Sequence, residues 1–283
     1  MKTGCARLFP RLRLRSGWKD FRPPSNMKPK TRLHSLSNIT ALTLCLFFTT
    51  HRALGDEVCS DTDRTGVVFA VNGSGNLQFT SAALEQAVAE AGLPITVVTF
   101  EWSQGRVVAD HTDWQHAQEQ GCRLAGEIVT YRESHPGQAI YLVAHSAGSG
   151  VALTALAALP PETVNRVILF APSVSTDYDL RPALRCPKDG IDVFYSHRDI
   201  FSLSFAVAFV GTSDGCQGCQ AAGRFGFRVQ AESPEDALLY AKLKQHPWDR
   251  CQARAGNPGF HSGARRAKFL HNCVLPLLNS TPD

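Results

Sequence analysis

The chain has 283 residues, a length that favours one catalytic domain with an N-terminal extension over two large domains. Its composition, 43% hydrophobic and 19% charged, is that of an ordinary soluble globular protein. The net charge of +4 depends on residues 1–55, because residues 56–283 hold 18 basic and 24 acidic residues, a formal charge of −6. We therefore expect no nucleic-acid partner for residues 56–283.

Residues 1–55 have the layout of a secretory signal. Basic residues within 28–32 precede the apolar stretch 39–48. The small residues Ala53 and Gly55 follow this stretch, directly before the acidic residues Asp56 and Glu57. The apolar stretch is too short to cross a bilayer comfortably, whereas small residues at these positions suit signal cleavage. The pattern predicts an exported protein.

Export implies that the protein acts in the periplasm or outside the cell, with residues 56–283 as a single domain. An uncleaved segment 39–54 that anchors the chain to the membrane is the alternative. Met27 stands immediately before the basic residues, so residues 1–26 are either a long basic leader or belong to an upstream start.

From residue 65 onward, short β-branched apolar runs alternate with amphipathic helical runs, which is typical of a parallel sheet covered by helices. Strands are predicted at 66–71, 95–102, 139–144, 164–170, 191–196 and 225–230. Helices are predicted from about Ser81 to a stop at Gly92, from the N-cap Asp113 to His135, over 148–159, and over 264–278 with a bend near Pro276. We expect an α/β fold with a doubly wound, mostly parallel sheet of about six strands and helices on both faces.

Ser146 stands where the third predicted strand meets the next helix, in the segment Ala144-His145-Ser146-Ala147-Gly148. A sharp turn at such a join raises the serine hydroxyl above the sheet and directs the helix N-terminus at it. The turn needs small neighbours, which Ala144 and Gly148 supply. We predict that Ser146 is a nucleophile; an ordinary N-cap serine is the alternative.

The segment resembles the Gly-x-Ser-x-Gly nucleophile elbow of the α/β-hydrolase family, with Ala144 in the first glycine position, as in some small bacterial lipases. The resemblance extends in element order over residues 65–278. It implies a serine hydrolase that cleaves a carboxylic ester or related acyl bond through an acyl-enzyme at Ser146. It implies no metal and no organic cofactor, and a small-molecule or lipid-like ester as substrate.

The resemblance also implies the chain order of nucleophile, acid and histidine. Asp199 follows the fifth predicted strand by three residues and is the predicted acid. His261 lies in the turn-rich loop 256–263 before the last helix and is the predicted base. The alternatives are Asp177, Asp179, Asp192 and Asp249 for the acid and His197, His246 and His271 for the base.

An oxyanion hole requires two hydrogen-bond donors. The backbone N–H of Ala147 is the first predicted donor, and the resemblance places the second in the loop 72–75, at Ser74. Related proteins commonly begin this loop with His-Gly, whereas this chain has Asn72-Gly73, so we expect the loop to be anchored differently. A dinucleotide-binding loop is the disfavoured alternative, because Gly-x-Gly-x-x-Gly is missing from the sequence.

Seven cysteines follow residue 55, and in an oxidising compartment several of them should pair. Cys216 and Cys219 are predicted to form a disulfide rather than a metal site, and the odd total leaves at least one thiol free or intermolecular. The apolar run 201–210 suits either an acyl pocket or lid, or a buried helix. A non-catalytic exported binding protein and an acyltransferase are the alternative functions.

Overall fold

The computed structural model describes residues 65–75, 77–199 and 211–279. The predicted secretory signal and the apolar run 201–210 lie outside these residues, so both stay predictions. Within the described ranges, no helix combines the length and the apolar composition that crossing a bilayer requires.

Six parallel strands form one sheet in the order β2-β1-β3-β4-β5-β6. The strands are β1 (Gly66–Val71), β2 (Ile95–Phe100), β3 (Ala139–His145), β4 (Arg166–Phe170), β5 (Ile191–Tyr195) and β6 (Leu243–Pro247). The chain runs outward from β1 to β2 and then returns to build β3 to β6 on the other side. The order therefore reverses between β1 and β3, and ligand sites of such sheets lie at the carboxyl ends of the strands flanking this reversal.

Helices cover both faces of the sheet, which confirms the predicted doubly wound arrangement. They are α1 (Phe79–Glu90), α2 (Val107–Thr112), α3 (Trp114–Ser134), α4 (Gly148–Ala158), α5 (Arg181–Leu184), α6 (Ala222–Phe225), α7 (Pro234–Tyr240), α8 (Arg250–Arg254), α9 (Ala267–Phe269) and α10 (Leu275–Leu278). Side chains of β1 alternate between two cores, with Val67 and Phe69 packing on the α3 and α4 side and Val68 on the α1 side. Both faces of β1 are buried, which explains why its sequence is continuously apolar.

The predicted helices are present, with small differences at their ends. α1 begins at Phe79, two residues before the predicted start at Ser81, and ends at Glu90, before the predicted stop at Gly92. Asp113 caps α3 as predicted, because its carboxylate accepts a hydrogen bond of 3.0 Å from the N–H of His116.

The prediction of a sixth strand at 225–230 is wrong. Phe225 ends the short helix α6, and the backbone N–H and C=O of Phe227 bond to the side chain of Gln245 at 2.7 and 2.9 Å. The sixth strand is β6 at the sheet edge, whose sequence Leu-Lys-Gln-His-Pro is polar and only partly buried. Hydrophobic periodicity misses such a strand because its outer edge and much of its surface face water.

The predicted helix 264–278 is divided into shorter pieces. A 3₁₀ turn at Gly263–Arg265 precedes α9, and a π-helical segment at Leu270–Val274 separates α9 from α10. The π segment lies directly before the turn that holds Pro276, which has no N–H to continue the α-helical bonding. The bend expected near Pro276 is therefore a change of helix type.

Cys216 and Cys219 form a disulfide, as predicted, and Cys122 is also disulfide-bonded. Among the cysteines that the structure describes, Cys186, Cys251 and Cys273 are free thiols. Cys186 is buried, and its burial raises the pKa of the thiol to about 11. This thiol is therefore protonated and unreactive near neutral pH.

Close packing between α3 and α4 holds the helix that follows Ser146. Gly121 on α3 faces α4, where a Cβ atom would lie 2.5 Å from the Cβ of Thr154 and 2.8 Å from the carbonyl oxygen of Val151. Gly126, also on α3, has no atom within 4 Å of the corresponding position. Substitutions at the two glycines therefore distinguish the effect of helix–helix packing on stability from the effect of helix propensity.

We predict opposite effects of alanine at these two positions. Gly126→Ala should raise the free energy of unfolding by roughly 0.5–1 kcal/mol, because alanine favours the helix and meets no neighbour. Gly121→Ala should lower it by about 1–3 kcal/mol, because the methyl group forces α3 and α4 apart. Urea unfolding followed by circular dichroism measures both; stabilisation by Gly121→Ala would contradict the close packing.

Candidate active site

Ser146 occupies a strained turn between β3 and α4. Its φ is +53°, in the left-handed region that residues other than glycine rarely adopt, and its N–H donates a hydrogen bond of 3.0 Å to the carbonyl oxygen of Phe170 on β4. The side chain is almost buried, with 8% of the residue exposed. The neighbouring strand therefore holds the serine in the conformation expected of a nucleophile elbow.

The small residues around Ser146 have separate structural reasons. A Cβ atom at Gly148 would clash with the carbonyl oxygen of Asn72 and lie 2.8 Å from that of Val71. Glycine is therefore needed where the end of β1 crosses the start of α4. Ala144 is a fully buried residue of β3 and pairs with Val71. Its methyl group belongs to the core, which explains how the chain accommodates alanine in the first glycine position.

The three residues predicted as nucleophile, base and acid lie together. Nε2 of His261 is 3.0 Å from Oγ of Ser146, and Nδ1 of His261 is 2.7 Å from Oδ2 of Asp199. Only 2% of Asp199 is exposed, whereas the His261 side chain is 20% exposed. Because a carboxylate only accepts hydrogen bonds, Nδ1–H of His261 donates to Asp199 and leaves Nε2 to accept the serine proton.

Loop contacts place the base against the serine. Oδ1 of Asn257 accepts a hydrogen bond of 2.9 Å from the N–H of Gly259, and the indole N–H of Trp248 donates to the carbonyl oxygen of Asn257 at 2.8 Å. Gly259 has φ +86°, and a Cβ there would lie 2.9 Å from the Trp248 ring. The loop that carries His261 is thus packed on the segment that follows β6.

The alternative histidines have other partners. Nε2 of His246 is 2.7 Å from Oδ1 of Asp192, and its ring stacks on Phe194 at 4.6 Å between centroids. His197 contacts the ring of Trp248, and His271 pairs with Glu90 at 2.9 Å. None of these contacts involves Ser146.

The alternative carboxylates are also engaged elsewhere. Asp192 pairs with Arg166 at 3.0 Å in addition to His246. Asp177 and Asp179 form ion pairs with arginines, and Asp249 caps α8 through the N–H of Gln252. Asp249 follows β6, a strand that was not among the predicted ones.

His145 is a residue of the site to which sequence reasoning assigned no role. Its Nε2 is 3.0 Å from the carbonyl oxygen of His261, and the two imidazole rings lie 4.7 Å apart. Burial, and then the nearby charges of His261 and Arg265, hold the pKa of His145 well below its usual 6.5. The neutral ring therefore donates Nε2–H to the carbonyl and links the serine turn to the loop that carries the base.

The loop 72–75 lies directly against the serine. A Cβ atom at Gly73 would lie 3.3 Å from Cβ of Ser146 and 3.2 Å from Nδ1 of His145. The backbone N–H groups of Ser74 and Ala147 donate to no other group of the described chain. Both predicted donors of the oxyanion hole are therefore left without a protein acceptor.

Asn72 anchors this loop through both its side chain and its carbonyl oxygen. Its Oδ1 accepts hydrogen bonds from the N–H groups of Thr80 and Ser81 at 3.0 and 3.1 Å, and its amide donates to Oγ of Ser81. The indole N–H of Trp102 donates to the carbonyl oxygen of Asn72 at 2.8 Å. Asn72 thus joins the loop to the N-terminus of α1 and to the segment after β2.

His145 should make stability depend on pH. The unfolded chain protonates this imidazole near pH 6.5, whereas the folded protein does not until a lower pH, so the free energy of unfolding falls as pH drops below about 6.5. We predict that His145→Asn shows a smaller fall in Tm between about pH 7.5 and 5.0 than the wild type. Ser146→Ala keeps the imidazole and should retain the wild-type difference. Equal falls in Tm for the wild type and His145→Asn would show that this imidazole does not contribute to the pH dependence of stability.

Several solved structures of hydrolases are similar to this chain. The catalytic core domain of acetyl xylan esterase from Trichoderma reesei is 15% identical, with a TM-score of 0.40 over 74% of this chain and 92% of that chain. A putative hydrolase of the alpha/beta superfamily from Xanthomonas campestris pv. campestris is 16% identical, with a TM-score of 0.43 over 77% of this chain and 100% of that chain. Among curated proteins, none matches the sequence.

A family model provides the assignment that these distant structures do not. Residues 48–207, more than half of the chain, match a family described as alpha/beta hydrolase of unknown function (DUF900). The match includes Ser146 and Asp199, and His261 lies beyond it. The doubly wound parallel sheet agrees with this assignment. The chain therefore belongs to the alpha/beta hydrolase family DUF900.

Proposed function

We propose that this protein is a serine hydrolase that cleaves a carboxylic ester or a related acyl bond. The observation that carries the proposal is the continuous hydrogen-bonded chain from Oγ of Ser146 through the imidazole of His261 to the buried carboxylate of Asp199. A neutral serine hydroxyl is a weak nucleophile, and this arrangement supplies both the base and the group that orients it.

In the first half of the reaction, Nε2 of His261 accepts the proton of Ser146 as Oγ attacks the acyl carbon. Asp199 stabilises the imidazolium that forms and keeps Nδ1 protonated. The imidazolium then gives its proton to the leaving oxygen as the ester bond breaks, which leaves the acyl group on Ser146. In the second half, His261 takes a proton from water as the water oxygen attacks the acyl-enzyme, and returns it to Oγ of Ser146.

The tetrahedral intermediate carries negative charge on the former carbonyl oxygen. The N–H groups of Ala147 and Ser74, which bond to no other group of the described chain, are the proposed donors to this oxygen. The N-terminus of α4 begins at Gly148, two residues after the nucleophile, and its dipole also favours negative charge there.

We predict that Ser146→Ala abolishes labelling by a fluorophosphonate probe and hydrolysis of p-nitrophenyl acetate. His261→Ala should lower kcat roughly 10⁴-fold, because no other group accepts the serine proton, and Asp199→Asn should have an effect of similar size. His246→Ala is the matched control, because His246 also pairs with a buried aspartate but does not contact Ser146. Its kcat should stay within about threefold of wild type.

Labelling that persists in Ser146→Ala would refute the assignment of the nucleophile. A folded wild type that binds acyl ligands without turnover or labelling would favour a binding protein. Product analysis in the presence of an added alcohol distinguishes the two catalytic alternatives: free acid supports the hydrolase, and an acylated alcohol as the main product supports an acyltransferase.

We also propose that the protein works outside the cytoplasm. The signal-like layout of residues 1–55 and the Cys216–Cys219 disulfide support this proposal. N-terminal sequencing of the native protein from periplasmic and extracellular fractions should give a chain that begins near Asp56. Recovery in membranes with residues 39–54 retained would show the anchored alternative instead.

A further inference from the structure

Asp110 of α2 is a buried carboxylate that the proposed reaction does not use. Only 1% of the residue is exposed, and both of its oxygens accept hydrogen bonds. Oδ1 accepts from the N–H of Gln104 at 2.7 Å, and Oδ2 accepts from the N–H of Gly75 at 2.7 Å and from the hydroxyl of Ser103. Within the described residues, no ion pair joins Asp110 to a Lys, Arg or His side chain.

Removing a carboxylate from water is costly unless hydrogen bonds replace its hydration. Two of the groups that donate hydrogen bonds to the buried carboxylate, those of Ser103 and Gln104, belong to the segment after β2. The third, Gly75, ends the loop 72–75 that contacts Ser146. Asp110 therefore connects the proposed oxyanion loop to a separate part of the fold.

The loop is held at both ends. Asn72 is fixed by α1 and by the indole of Trp102, and Gly75 is fixed by Asp110. Gly75 has φ +88°, and a Cβ there would lie 2.7 Å from Cγ2 of Val107, so α2 packs directly on the loop. Between the two anchors, Gly73 lies against Ser146, and the N–H of Ser74 donates to no acceptor among the described residues.

The helix that carries Asp110 is anchored as well. Nε2–H of the adjacent His111 donates a hydrogen bond of 3.0 Å to the carbonyl oxygen of Gly211, one hundred residues later in the chain. Two consecutive residues of α2 thus bond in different directions, Asp110 to the loop and His111 to a distant segment. The contact between His111 and Gly211 therefore helps to hold the Asp110 carboxylate in position next to Gly75.

We infer that Asp110 is a positioning residue for the oxyanion hole. By accepting the hydrogen bond from the N–H of Gly75, it fixes the peptide that follows Ser74 and thereby the orientation of the Ser74 N–H. The inference rests on the proposed function, because it assigns a task in stabilising the tetrahedral intermediate. Asp110 itself does not contact the reacting atoms.

The test compares Asp110→Asn with Ser103→Ala. In Asp110→Asn, one acceptor oxygen becomes an NH₂ group that must face the N–H of either Gly75 or Gln104, and this opposed pair displaces the side chain and with it the end of the loop. Ser103→Ala removes one hydrogen bond to the same carboxylate but leaves the Gly75 contact in place. Asp110→Asn should lower kcat for p-nitrophenyl acetate about 10- to 100-fold with KM within about threefold, whereas Ser103→Ala should stay within about threefold in both.

A second measurement separates positioning from general support of the fold. A phenylboronic acid forms a tetrahedral adduct with the serine that places an oxygen in the oxyanion hole, so its inhibition constant should rise by the same factor as kcat falls. If Asp110→Asn does not fold, Asp110→Glu provides the test, because it keeps the carboxylate and displaces it by one methylene. In Asp110→Glu too, we expect kcat to fall and the inhibition constant to rise by the same factor.

Wild-type kcat and inhibition constant in folded Asp110→Asn would overturn the inference, as would equal losses in Asp110→Asn and Ser103→Ala. Wild type and Ser146→Ala are measured in the same series. Wild-type turnover that Ser146→Ala abolishes, together with an unaffected Asp110→Asn, would overturn only the role of Asp110. A wild type without Ser146-dependent turnover would contradict the proposed function and this role together.

Discussion

The close approach of the β1 end to the start of α4 is the constraint on which the candidate site depends. The carbonyl oxygen of Asn72 occupies the space that a side chain at Gly148 would need, and Gly73 lies against Ser146. This contact is possible because β1 and β3 are neighbours at the point where the strand order reverses. It brings the loop 72–75 and the N-terminus of α4 to the same serine.

Buried polar side chains maintain this approach. Asn72 and Asp110 hold the two ends of the loop, and His145 holds the segment that carries the base. Each of these groups is buried and hydrogen-bonded, so displacing it would leave unpaired polar atoms in the interior. The geometry of the candidate site is thus supported by interactions in which Ser146, Asp199 and His261 take little part.

Prediction from sequence succeeded where the signal is local or follows chain order. The first five strands are rich in apolar and β-branched residues, and Asp113 precedes its helix with a clear cap. Asp199 and His261 were selected by their position after a strand and before a helix, and they lie within hydrogen-bonding distance of one another. β6 was missed because an edge strand is half-exposed and polar, whereas residues 225–230 carry apolar side chains at alternate positions without forming a ladder. His145 and Asp110 went unassigned because their partners lie far away in the chain.

By itself, the sequence determined the strand-and-helix alternation and the serine turn. These features depend on residue type and spacing, which local backbone physics converts into structure. The order of the proposed acid and base followed from the resemblance to the α/β-hydrolase family. Only the tertiary structure decided which histidine lies within hydrogen-bonding distance of Ser146, which carboxylate bonds to that histidine, and which side chains hold the loop 72–75. Those outcomes depend on contacts between residues such as Asp110 and Gly75, or His145 and His261, whose separation along the chain leaves no periodic signal.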